Sequence, residues 1–203
     1  MADVFEQLDD SANVLEASKP LVDLINGILF VREPTRKPLR SGAVHERQPD
    51  GTWNAGTIHA GMHVMEGRSR LKANAVAVTA PGSPPPPPPP PPPHTIWLKD
   101  ALTGSVVSDV LTFLRGEPDW FDLYKAFELM RDDVNNHLGQ HNQTQIGWPS
   151  KDERDFFSES AQVHRHSPIK WGRYNLKTAM QLHEARKFVR SLANAWLNWR
   201  CGT

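Results

Sequence analysis

The chain has 203 residues, with 23 basic and 23 acidic side chains, 38% apolar residues, 18 prolines and one cysteine. A lone cysteine excludes an internal disulfide and fits a reducing cytosol. Seven tryptophans argue against global disorder, and the most apolar early stretch, Leu21 to Val31, is too short to span a bilayer.

The zero net charge hides an uneven distribution. Residues 1–93 carry nine basic and ten acidic side chains, residues 94–150 four and eight, and residues 151–203 ten and five. The three net charges are therefore −1, −4 and +5. A basic end and an acidic middle either neutralise each other within the fold or mark a surface for a charged partner.

In chain order, residues 1–12 are polar and acidic and are expected to be disordered. Met-Ala-Asp-Val-Phe-Glu lacks a basic region followed by an apolar run, so no signal peptide and a soluble cytoplasmic protein are expected. The apolar run from Val22 fits a helix or a buried strand. Its β-rich end, Ile28 to Arg32, favours a strand, closed by Pro34 and Pro38.

Arg40 to Gln48, Pro49-Asp50-Gly51-Thr52 and the stretch from Trp53 read as a β-hairpin, because Asp-Gly supplies the positive φ of a tight turn. Alternation over Ile58–Met65 and over Leu71–Val78 adds further strands. Residues 13–80 thus read as a β-rich part with a small, mostly antiparallel sheet.

Residues 81–95 read as a linker. Its ten consecutive prolines, Pro84 to Pro93, have fixed φ and no amide hydrogen, which predicts a polyproline II rod of on the order of 30 Å.

Residues 96–203 read as helical, with about four helices. Leu98 to Leu114 has a broad apolar stripe at helical spacing, ended by Gly116. Asp119 is placed to cap a second helix with Asp122 three residues on, ending at Gly139. Ser150-Lys-Asp-Glu153 is a capping box that opens a short third helix. In the last helix, Leu182, Ala185, Val189, Leu192, Trp196 and Trp199 form a narrow seam. That seam fits a helix docked in a bundle, or a homodimer through residues 182–199. The fold class read from these patterns is α+β.

Three clusters carry possible chemistry. Residues 164–177 hold Arg165, Lys170, Arg173 and Lys177 with the rings of Trp171 and Tyr174 between them and no acidic residue. Cations neutralise phosphates while flat rings stack on unpaired bases, so this stretch suits single-stranded nucleic acid or another polyanion. An acidic protein surface is the other expected partner. Four imidazoles, His137, His141, His164 and His166, are the alternative metal set, although no cysteine or carboxylate completes a zinc signature and no metal is expected.

The third cluster is Arg131-Asp132-Asp133-Val134-Asn135-Asn136-His137. It resembles the R-x₄₋₆-H element of the HEPN-type helical ribonucleases. That resemblance implies a phosphate-stabilising role for Arg131 and an acid–base role for His137 in a metal-independent cleavage.

Nucleotide-binding glycine loops, the nucleophile elbow and the zinc-protease motif are all missing from the sequence, so no cofactor is expected. The reading leans away from an enzyme and towards a non-catalytic binding module with its contact surface at 164–177, the alternatives being the ribonuclease and a purely protein–protein interaction through the C-terminal helix.

Overall fold

A computed structural model describes residues 11–42, 45–47, 53–55, 91–139, 143–165 and 179–202. The chain divides into two units: Met1–Gly42 with Pro92–Thr203, and Ala43–Pro91. The first is a helical bundle, and its N-terminal helix belongs to the same unit as the C-terminal half.

That helix, α1 (Ser11–Arg32), corrects the strand expected over Ile28–Arg32. The buried residues Leu24, Ile28 and Val31 recur at helical spacing, and their burial in the core overrides the β preference of the Ile28–Val31 run. Pro20 lies inside the helix. Buried Asn26 then ties the chain back onto α1: its Nδ2 donates to the Leu39 carbonyl at 3.0 Å, and its Oδ1 accepts from the Leu39 amide at 2.6 Å.

Among the described residues the expected sheet is reduced to the two arms of the hairpin expected around Pro49–Thr52. In the second unit, the described residues hold β1 (His45–Arg47) and β2 (Trp53–Ala55), paired antiparallel with Glu46 opposite Asn54. Two three-residue arms make no sheet with a face to bury, and the protein is helical rather than α+β. The strands expected over 58–65 and 71–78, and Pro84–Pro90 of the proline run, lie outside the described residues.

The single helix expected over Leu98–Leu114 is two: α2 (Pro93–Ala101) and α3 (Val106–Phe113). Gly104 breaks the pattern at φ 75°, a conformation that glycine adopts without steric cost. Ser105 caps α3, its Oγ accepting from the Val107 amide at 3.2 Å.

Local signals fixed the remaining starts as expected. Asp119 Oδ1 accepts from the amides of Phe121 and Asp122 at 2.8 and 3.0 Å, opening α4 (Trp120–Leu138). A short 3-10 turn, Gln143–Ile146, follows. Ser150 and Glu153 exchange bonds at the start of α5 (Lys151–Arg165), which is longer than expected. The Ser150 hydroxyl and amide hold the Glu153 carboxyl below its ordinary range.

The last helix, α6, spans Leu182–Cys201, and Gly202 ends it in the left-handed region. The core gathers around α4 and α6, where Leu123, Phe127, Met130 and Val134 meet a buried Ala185, Val189, Leu192 and Trp196. Trp148 joins them, its indole N–H donating to the Leu192 carbonyl at 3.1 Å. Four of the six seam residues of α6 are thus buried inside this unit, and Leu182 and Trp199 are partly buried.

Candidate functional site

The described start of the basic, aromatic stretch is the end of α5. His164 stacks on Trp120, centroids 4.4 Å apart with planes 12° from parallel. The Arg165 guanidinium lies 4.4 Å from the Tyr124 ring centroid and 5.4 Å from that of Phe121.

Both rings come from the first turns of α4, where positions 120, 121 and 124 bring their side chains to one end of the helix. Tyr124 is buried, but Phe121 remains 49% exposed. Asp119 and Asp122 stand at the same end, both engaged with backbone amides. Among the described residues no carboxylate pairs with Arg165.

A guanidinium held flat on a ring keeps its N–H edge for a phosphate, while the exposed ring offers a stacking face. Lys170, Trp171, Arg173, Tyr174 and Lys177 lie outside the described residues. The chain on either side of them is anchored: His164 Nε2 is 3.3 Å from the Met180 carbonyl, and the Met180 amide donates to Ser160 Oγ at 3.0 Å.

Arg131 and His137 have separate surroundings. Six residues apart on a helix, they point about 120° away from each other. Arg131 pairs with Asp132 at 3.2 Å, and its guanidinium lies 5.7 Å from the Phe127 ring centroid. His137 Nδ1 lies 2.7 Å from the Asp133 carbonyl, and its ring packs edge-on against Trp199. No hydrogen bond or ion pair joins the two side chains.

The histidine set divides as well. His137 is at the C-terminal end of α4 and His164 stacks at its N-terminal end, on the order of 25 Å away by helical rise. One ion cannot reach both. His141 and His166 lie outside the described residues. Among the described residues no group of three or more histidine, cysteine or acidic side chains is placed to hold a metal.

Beside His137 lies a buried cluster that the motif reading passed over. Asp133 Oδ2 accepts from the indole N–H of Trp196 at 2.9 Å and faces Arg200 Nε at 3.4 Å. It joins α4 to α6, and Asp133 serves structure there.

Cys201 is partly buried at the end of α6. Burial first, and then the charge of Asp100, push its thiol up to about 11, with Arg200 opposing. That rise from an ordinary 9.0 leaves on the order of 100-fold less thiolate near neutral pH. Alkylation of the folded protein by iodoacetamide, followed by mass spectrometry, should be slower by that order and recover in urea. A folded-state rate equal to that of a free thiol would contradict the burial.

A cavity of about 480 Å³ lies between α1 and α2, with Ile25, Ile28, Leu29 and Leu98 beside Arg32, Arg36 and His94. Among the described residues no helix is long and apolar enough to cross a membrane. The chain matches no protein-family model, no curated protein and no solved structure, so its own residues carry the functional reading.

Proposed function

We propose that this chain is a non-catalytic cytoplasmic binding protein whose ligand is single-stranded nucleic acid. The observation that carries this reading is the Arg165 guanidinium stacked on Tyr124 beside the half-exposed ring of Phe121. In this reading Arg165, Lys170, Arg173 and Lys177 meet backbone phosphates, and Phe121, Trp171 and Tyr174 receive bases. Stacking on an exposed ring contributes about 1–3 kcal/mol per base. The separate surroundings of Arg131 and His137 on α4 favour the binding reading over the ribonuclease one.

The test uses labelled single-stranded RNA incubated with the protein in chelator. The expected result is retention without cleavage, weakened about tenfold by Phe121→Ala. Cleavage that is abolished by His137→Ala would replace this reading with the ribonuclease one. Retention of an acidic peptide in preference to RNA would also overturn it.

A further inference from the structure

A cluster of basic side chains gathers at the loop that leads into α4, and the apolar periodicity of α6 gives no hint of it. The loop after α1, the α3–α4 loop and α6 enclose a cleft of about 220 Å³. Four cationic side chains, Arg36, Lys37, Arg186 and Arg190, line it against one carboxylate, Glu117.

Arg186 and Arg190 are four residues apart on α6 and so share a face, where like charges repel. Backbone carbonyls fix both of them. Arg186 donates from Nε to the Pro118 carbonyl at 2.9 Å and from Nη2 to that of Glu117 at 3.2 Å. Arg190 donates from Nε to the Phe30 carbonyl at 2.7 Å, and its guanidinium lies 4.8 Å from the Phe30 ring centroid.

Arg36 is shared with Glu33 at 3.3 Å. Among the described residues Lys37, Arg186 and Arg190 form no ion pair with a carboxylate. Burial, and after it the charge of Arg186, lowers the pKa of Arg190 from its ordinary value, although a guanidinium stays protonated throughout. Among the described residues, these repelling cations are thus held in place by neutral oxygens rather than by carboxylates.

We propose that this cleft binds a phosphate group, held by Arg186, Arg190 and Lys37. Arg190 is anchored through Nε and Arg186 through Nε and Nη2, which leaves Arg186 Nη1 and both Nη groups of Arg190 as donors for a tetrahedral oxyanion. The volume, against about 30 Å³ for a water, admits the anion with part of its hydration shell. Three cations favour a dianion, the charge of a phosphomonoester, over the single charge of a diester.

Calorimetric titration at neutral pH and low salt tests this, with inorganic phosphate as the probe. The expected result is one saturable site, about tenfold weaker in Arg190→Gln and in Lys37→Gln. Because Arg190 also ties α6 to α1, the exposed Lys37 supplies the variant whose thermal unfolding stays unchanged. Methyl phosphate and dimethyl phosphate then separate the sources. Tighter binding of the monoester assigns a small phosphorylated molecule or a strand end, and equal binding assigns a strand backbone. No saturation by phosphate, or equal affinity in Lys37→Gln and the parent, would overturn the proposal.

Discussion

Gly27→Ala is expected to destabilise the protein by about 3 kcal/mol, lowering Tm by on the order of 10 °C. On helix propensity alone the opposite would hold, since alanine is favoured over mid-helix glycine by about 1 kcal/mol. The geometry reverses the sign. A Cβ at Gly27 would stand 2.2 Å from the carbonyl oxygen of Leu111 and 2.8 Å from its Cα.

Those are backbone atoms, so no side chain can rotate away. α1 would have to lift off α3, exposing Leu24 and Ile28. Gly42, where an added Cβ meets nothing within 4 Å, is the matched control and should tolerate alanine. Thermal melts of both variants decide the matter. A stabilised Gly27→Ala would mean that α1 does not cross α3 at this point.

The second large effect is expected at Asp133, whose side chain is only 8% exposed. Asp133→Ala leaves the fully buried Trp196 without an acceptor for its indole N–H. It also removes the carboxylate facing Arg200 Nε, a buried atom that has no hydrogen bond of its own. Stranding a buried donor costs about 1–3 kcal/mol, and Arg200, whose side chain is 32% exposed, adds about 0–1 kcal/mol as a solvated ion pair does. A loss of about 3 kcal/mol is the expected outcome.

Asp133→Asn keeps an acceptor for Trp196 and should lose about half as much. In a Trp196→Phe background the alanine substitution should cost about 1–2 kcal/mol less, because the donor is already gone. Urea unfolding of the four proteins measures this coupling. Strict additivity would show that the bond does not support the fold.

These two positions show where sequence reading succeeds and fails. Asp119 with Asp122, and Ser150 with Glu153, could be read because a cap closes within four residues. The seam of α6 could be read because helical period alone selects Ala185, Val189, Leu192 and Trp196. Ile28 to Val31 misled because β-branched residues are tolerated in a helix once Leu111 and its neighbours supply the packing. The break at Gly104-Ser105 carried a cap signal, but the apolar stripe running across it drew the attention.

The candidate site was half legible. Arg165 stands in a conspicuous basic stretch, whereas Phe121 and Tyr124 reach it from another helix by tertiary packing. The pair Arg186 and Arg190 follows the helical repeat too, but apolar periodicity alone does not distinguish a paired cation face from a solvated one. The carbonyls that hold the pair come from distant parts of the chain, Phe30 from the last turn of α1 and Glu117 and Pro118 from the loop before α4.

The most direct test of nucleic-acid binding is the salt dependence of affinity for a short labelled single-stranded RNA, read by fluorescence anisotropy. Four phosphate contacts by Arg165, Lys170, Arg173 and Lys177 predict a slope of about −3 in log K against log salt. Arg165→Ala should reduce that slope to about −2. A flat salt dependence, or a slope that Arg165→Ala leaves unchanged, would contradict the assignment of this surface.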